Sequence, residues 1–322
     1  MSAVNAARAV KAPKNRLPAK KKDNIAKRFW KTRFLFALFV PALIFYILFK
    51  YVPMWGVSIA FMRYSVFGGL ARSEWIGWYN FQVFFESPAC WTYTRNTFLL
   101  GAQDLAITFP LTVVFALLLN EIRSANFKKI TQTISYIPHF LSTVVVVSLM
   151  QSLCDPTNGA INQIIVALGG EPINFFLETK WFRPLYLISQ IWHGLGWGTI
   201  VYLAAISAVD PGLYEAARLD GAGRMRQMWN ITLPAIAPTV STMFIMKIGH
   251  IMGDSMEKVL LMQSPVTYQV SQTLSTYNYM MAFGEKNYGM SAAIGLFGSV
   301  VNLCFLITGN WVSKKLTENS IF

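Results

Sequence analysis

The stretch EAARLDGAGRMRQMWNITLP, residues 215–234, carries Glu215, Arg218, Asp220, Arg224 and Arg226 between two long apolar runs, and Pro211 and Pro234 frame it. Asp210-Pro211 has the form of a helix start, because Asp accepts from free backbone N–H groups and Pro in the first turn loses no needed donor. The pattern predicts a short helix over 211–220, with Glu215 at its middle and the small, helix-favouring Ala216 and Ala217 beside it. Gly221 tolerates positive φ and supplies a bend. A second short helix is expected over 222–232, ended by Leu233-Pro234. Two readings stay open on these residues: an ordinary helical hairpin at a membrane surface, or a knob shaped to dock a partner.

The surroundings fix the medium. The chain has 322 residues, 54% hydrophobic and 13% charged, with a mean hydropathy of +0.41. A soluble domain of that length needs more charge to cover its surface, so the composition selects the membrane class. A helix needs about 20 apolar residues to cross a bilayer. The charge-poor runs predict six transmembrane helices near 32–54, 96–119, 132–155, 184–208, 235–257 and 287–313. The expected fold class is therefore an all-α membrane protein, with a transmembrane domain over 31–315 and a C-terminal tail over 316–322.

The net charge is +13, and residues 1–33 hold eleven Lys/Arg against the single acid Asp23. Residues 1–30 read as a basic, largely disordered tail beside anionic lipid rather than a nucleic-acid-binding arm. The basic region is too long for a signal peptide, and no small-residue cleavage site follows it. The positive-inside rule then puts both termini in the cytoplasm, with Arg123, Lys128, Lys129, the 209–234 loop, Lys314 and Lys315. Residues 55–95, 156–183 and 258–286 become the outer loops.

Ionisable side chains at membrane depth are costly and usually face protein or water. Lys247, His250 and Asp254 fall at i, i+3 and i+7 of the fifth expected span and so share one face; Asp104 sits in the second. They line a translocation path, where Lys247 would attract an anionic group. Equally, Lys247 pairs with Asp104 or Asp254 to hold helices together. His193 among Gly194, Gly196 and Gly198 reads as close helix packing. The outer segment 51–93 is crowded with aromatics, Trp75 and Trp78 among them. Such rings stack on sugar faces, or form an interfacial belt or loop core. Tyr277 and Tyr279 are further candidates for contact with a ligand or an outer partner, and 157–168 predicts a short outer helix. Cys90, Cys154 and Cys304 make no disulfide framework and no metal spacing, with a Cys90–Cys154 link left open. No HExxH, GxSxG or GxxxxGK[ST] occurs. The chain is therefore read as non-catalytic, without a metal or cofactor of its own.

Glu215-Ala216-Ala217, Asp220-Gly221-Ala222, Ile231 and Leu233-Pro234 together resemble the EAA motif of ABC-importer permeases, with Met228 where Phe is common. Lys50-Tyr51-Val52-Pro53-Met54, Trp75-Ile76-Gly77, Asn80-Phe81, Arg95-Asn96-Thr97, Tyr136-Ile137-Pro138-His139-Phe140 and Ser275-Thr276-Tyr277 are similar to one subgroup of them. The likeness covers about residues 30–315. It implies the type I ABC importer permease fold in a bacterial cytoplasmic (inner) membrane. It also implies that the helices of 210–234 couple to a cleft in an ATPase subunit. Glu215, Ala216, Ala217, Asp220, Gly221, Ala222, Arg224, Leu233 and Pro234 would form that surface, with Glu215 pairing to a basic group and Gly221 permitting the bend. The implied partners are a homologous sister permease, two ABC ATPase subunits carrying ATP and Mg2+, and an extracytoplasmic substrate-binding protein. The subgroup imports oligo- or polysaccharides by alternating access, and its alginate importers are one branch. The competing reading is a self-contained secondary transporter or channel with Asp104, Lys247 and Asp254 as an ion relay. It gives residues 215–234 no task. An intramembrane enzyme lacks any nucleophile–base or metal constellation.

Overall fold

A computed structural model describes residues 32–317. The expected basic tail over 1–30 and the last five residues of the expected C-terminal tail lie outside the described residues. The chain divides between Trp55 and Gly56, and each part is taken by itself. In the first part, helix α1, Arg33–Tyr46, continues through a wide turn over Ile47–Tyr51 into Val52–Met54.

The second part holds helices α2 (Pro88–Glu121), α3 (Ala125–Phe140), α4 (Thr143–Leu153), α5 (Thr179–Ser207), α6 (Pro211–Leu219) and α7 (Arg224–Ile248). Helices α8 (Met256–Met262) and α9 (Tyr288–Thr317) follow. Among the described residues, four helical stretches are long and apolar enough to cross a membrane, and six if α3–α4 and α5–α6 each count as one bent span. A two-stranded antiparallel ribbon pairs Met62 with Trp75 and Arg63 with Glu74.

Three expectations about the spans are corrected. The third, expected as one helix over 132–155, is bent by 101° between α3 and α4. Pro138 lacks the N–H that would continue the helix, the chain tightens over Ile137–Phe140, and Ser142 starts α4 by accepting from the Val145 N–H at 3.4 Å. The fifth, expected over 235–257, stops at Ile248. The chain turns at Gly249, where a Cβ would stand 2.7 Å from the Leu306 side chain of α9. The second short helix expected over 222–232 is no separate element. It is the first part of α7, which runs through Leu233-Pro234 without stopping.

The continuation through Pro234 has a physical reason that recurs. A proline inside a helix loses its N–H and crowds the carbonyl four residues back. Here the ladder widens by one residue just before the proline: the Leu233 N–H reaches the Met228 carbonyl, and Pro234 follows. The same step precedes Pro110, where the Phe109 N–H reaches Asp104, and Pro53, where the Val52 N–H reaches Ile47. Each shift absorbs a proline that would otherwise break the helix.

Helices α2 and α5 pack through Val113, Ala116, Leu117, Tyr202 and Ile206, with Met228 and Ile236 of α7 closing the cluster. A second core joins Leu100, Val147, Met150, Phe182, Leu185, Tyr186, Val259 and Met262. Small residues set the closest approaches. A Cβ on Gly101 would stand 1.9 Å from the Ile251 carbonyl oxygen, and one on Gly196 2.1 Å from that of Ser135. Between α8 and α9 the chain folds inward and is pinned by buried polar groups. Asn96 is fully buried; its amide donates to the Gln269 and Gln272 carbonyls, both at 3.0 Å, and its oxygen accepts from Arg183 at 3.1 Å. The Thr97 hydroxyl accepts from the Leu274 N–H at 2.8 Å. Asn80 does the same for the segment before the ribbon, donating to the Ala60 carbonyl at 2.9 Å. Asn96→Leu keeps the branched shape but removes the bonds to the Gln272 and Gln269 carbonyls and to Arg183, so it should destabilise the fold by about 2 kcal/mol or more. A clearly lowered melting temperature in detergent is expected, and an unchanged one contradicts this role.

Candidate functional site

Helices α2, α5 and α7 enclose a cavity of about 630 Å³ lined by Asp104, His139, Gln190, Gly194, Trp197, Lys247 and His250, among others. A smaller one, about 220 Å³, adjoins it through Asp104, Gln190, Lys247 and His250 and adds Tyr186 and Gly253. Each position follows from local structure. Asp104 opens the widened turn that precedes Pro110. Lys247 stands in the last turn of α7, and His250 in the turn beyond it. Gln190, Gly194, Trp197 and Val201 recur at i, i+4, i+7 and i+11, so they form one face of α5.

The Lys247 ammonium pairs with the Asp104 carboxylate and joins α7 to α2 across the cavity wall. Of the two pairings that the sequence left open for Lys247, the structure forms this one. Asp104, Lys247 and His250 are brought together; Asp254 is not. It lies beyond the end of α7, so the expected common face over Lys247, His250 and Asp254 does not exist. Both Asp254 oxygens are buried, with the hydroxyls of Thr273 and Ser275 beside the carboxylate.

Trp197 supplies a flat wall. His139 stacks on its ring at 4.5 Å between centroids, 9° from parallel, and Phe140 meets it edge-on at 5.6 Å. His193 bonds to the Leu141 carbonyl at 3.2 Å, holding the bend between α3 and α4 against α5. The glycines around it divide by role. Gly196 and Gly198 allow close packing, on Ser135 and Thr112, whereas a Cβ on Gly194 would meet open space in the cavity.

The sequence reading missed His139, Gln190, Trp197 and Lys258. Lys258, expected in an outer loop, is 1% exposed and donates to the Gln190 side-chain oxygen at 2.5 Å. One signal was available: Lys258 shares a helical stripe, i to i+4, with the buried Met262.

Residues 208–224 form a compact hook. Asp210 caps α6 by accepting from the Gly212 N–H at 2.8 Å, with Pro211 in the first turn. At the other end the Gly221 N–H reaches the Arg218 carbonyl at 3.0 Å and the Ala222 N–H reaches Ala217 at 2.8 Å. That is a Schellman closure, and Gly221 takes the φ of +73° it requires. The chain bends 71° between α5 and α6. Tyr214 bonds to Thr232 of α7 at 2.9 Å, and Arg224 pairs with Glu121 at the end of α2 at 3.0 Å and also bonds to its carbonyl. The hook is thereby fixed to α7 and α2 alike. Glu215, Ala216, Asp220 and Arg218 stay exposed, and Leu219 is 90% exposed at the tip. The hook thus presents an apolar tip ringed by charge on a braced scaffold.

The family model described as "Binding-protein-dependent transport system inner membrane component" matches residues 108–318. The chain belongs to that family. It is 45% identical over 302 residues, 94% of each chain, to the polygalacturonan/rhamnogalacturonan transport system permease protein YteP of Bacillus subtilis (strain 168). It is 30% identical over 295 residues to the diacetylchitobiose uptake system permease protein NgcF of Streptomyces coelicolor, covering 85% of this chain and 80% of that one. Its fold is similar to a chain of a bacterial ABC transporter involved in the import of the acidic polysaccharide alginate. The TM-score is 0.83 at 34% identity, over 91% of this chain and 99% of the other. A second structure of a bacterial alginate ABC transporter, in complex with an alginate pentasaccharide-bound periplasmic protein, gives a TM-score of 0.84 at 33% identity over 92% and 99%. The architecture is that of a type I ABC importer permease, a multi-pass inner-membrane protein.

For this permease the outer aromatics separate in two. Trp75 and Trp78 are exposed, and Phe61 braces both, stacked on Trp75 at 5.6 Å and edge-on to Trp78 at 5.4 Å. Tyr279 is exposed beside Phe283, at 4.8 Å. Tyr277, expected as an outer contact, packs inward against Tyr93 at 5.0 Å and Phe84 at 6.4 Å and joins the core there. The short helix expected over 157–168 runs over Ala160–Ala167. Cys90 and Cys154 are free thiols, so the disulfide left open does not form.

Gly194 gives a direct test of the cavity. Replacing a helical Gly gains on the order of 1 kcal/mol in helix propensity, and the Gly194 Cβ direction is open. Gly194→Phe should therefore leave the melting temperature unchanged or raised while blocking uptake into proteoliposomes. Full uptake by a stable Gly194→Phe protein contradicts the cavity as a path.

Proposed function

We propose that this chain forms the membrane path of an ATP-driven, binding-protein-dependent importer of an acidic oligo- or polysaccharide. The observation that carries the reading is the cavity between α2, α5 and α7. It combines a flat indole wall at Trp197 with a partly exposed ion pair, Lys247–Asp104. Sugar rings offer apolar C–H faces that stack on such a wall, and their hydroxyls and carboxylates need charged or amide partners. The names of the relatives point the same way: polygalacturonan and rhamnogalacturonan for one, the acidic polysaccharide alginate for another. In this reading Asp104, Lys247 and His250 are path residues. Asp254 supports the path from behind, and exposed Trp75, Trp78 and Tyr279 receive the sugar or its binding protein.

The chain works beside a homologous sister permease, with two ABC ATPase subunits on the cytoplasmic side that hold ATP and Mg2+. Both of its termini lie in the cytoplasm. The hook seats in an ATPase cleft, with Glu215 meeting a basic group and Ala216, Ala217 and Ala222 allowing close approach. Asp220, Gly221, Arg224, Leu233 and Pro234 keep the hook in shape and joined to α7. ATP favours the closed ATPase pair, and the loaded binding protein favours the outward-facing permease. Such differential affinity is what allows a ligand to drive the change. The ion-relay alternative has no support in the geometry, since Asp104 is already neutralised by Lys247 and Asp254 stands apart.

Two substitutions test the coupling role. Proline cannot adopt the φ of +73° at Gly221, so Gly221→Pro distorts the hook, and Glu215→Ala removes its central charge. Each should leave basal ATP hydrolysis by the assembled transporter while reducing uptake about ten-fold or more. Normal coupling in both contradicts the assignment, as does a tagged chain that brings down no ATPase.

A further inference from the structure

Lys258 is among the largest fully buried side chains of the protein, at 1% exposure. A buried ammonium is normally paired with a carboxylate, because desolvation otherwise disfavours it strongly. This one has none within ion-pair distance among the described residues. Its contacts are the Gln190 side-chain oxygen at 2.5 Å and the face of the Tyr186 ring at 5.8 Å. The carboxylate that acts on it from further away, Asp104, is already held by Lys247. The other buried carboxylate near the Tyr186 ring, Asp254, forms no ion pair with Lys258 either, so the ammonium stands behind the cavity wall without a direct counterion.

Lys258 also decides which way Gln190 points. An ammonium has donors and no acceptor, so the Gln190 oxygen must be the atom turned toward it. The Gln190 amide nitrogen is then turned away, 3.4 Å from the Tyr186 hydroxyl, and its N–H donors belong to the wall that both cavities share. A donor backed by a buried cation favours an anionic acceptor over a neutral one.

We infer that Lys258 is a positioning residue that makes this path selective for carboxylated sugar units. It acts through Gln190 and through its own charge, which no carboxylate pairs directly. This rests on the reading of the chain as a saccharide importer, and it goes beyond the residues of the path itself.

The test uses the complete transporter in proteoliposomes with its binding protein, with oligogalacturonate and a neutral oligosaccharide as separate substrates. Lys258→Met should lower oligogalacturonate uptake on the order of ten-fold, while ATP hydrolysis stimulated by the loaded binding protein persists. The sugar moved per ATP therefore falls. Lys258→Arg should restore most of it, because the charge returns. A folding defect would lower both activities together. Gln190→Glu provides the arm that does not depend on Lys258→Met assembling. It leaves the lysine in place, neutralises it with a carboxylate, and should likewise lose oligogalacturonate transport. An unchanged ratio in Lys258→Met and Gln190→Glu overturns the inference alone. So does a Lys258→Arg protein as poor as Lys258→Met. A wild-type transporter that imports neutral sugars and no oligogalacturonate overturns the acidic-substrate reading, and this inference with it.

Discussion

The ion pair between Lys247 and Asp104 joins two long helices where a membrane gives charges little other support. Its meaning depends on α7. That helix carries Lys247 near one end and begins, at Arg224, inside the hook. At 1.5 Å per residue, its 25 residues span about 37 Å. Arg224 binds Glu121 at the far end of α2, so α7 is tied near both of its ends to α2, at the middle and at the last residue of that helix. In the proposed mechanism a push on the hook would reach the cavity along one continuous helix and not through a chain of loops.

Keeping that rod continuous is a problem of backbone chemistry. Pro234 would break or kink an ordinary helix just where the hook meets the span. The widened turn over Met228–Thr232 accepts the proline and lets the helix proceed. The matching turn before Pro110 has a second consequence, for it begins at Asp104. The local distortion that accommodates a proline also sets the position from which the carboxylate reaches Lys247. Hook, rod and ion pair thus share one device used twice.

Much of this was legible in the sequence, for reasons that can be named. The hook was readable because its signals are local: Asp210-Pro211 starts a helix, and Gly221 closes it with a positive φ that other residues rarely adopt. The membrane class followed from composition. The continuity of α7 was not readable, since Leu233-Pro234 reads as a stop unless the ladder shifts register upstream. The face shared by Lys247, His250 and Asp254 failed for the opposite reason: helical spacing was extended past Gly249, where packing against Leu306 ends the helix. Gln190 and Trp197 gave no signal because their roles arise between distant segments. For Lys258 the spacing to Met262 hinted at burial, but not at the inward fold pinned by Asn96 and Thr97 beside it. The alanine and glutamate of the motif, by contrast, stand exposed where a partner can reach them.

The claim that hook movement reaches the cavity through α7 is tested most directly by a distance. Spin labels at Val201 of α5 and Met246 of α7, both in the cavity wall, report on its width in the assembled transporter once Cys90, Cys154 and Cys304 are replaced. The account predicts a label-to-label distance that changes when ATP is added, and that no longer responds when Gly221→Pro distorts the hook. A distance that stays constant through ATP binding while sugar is being transported contradicts it.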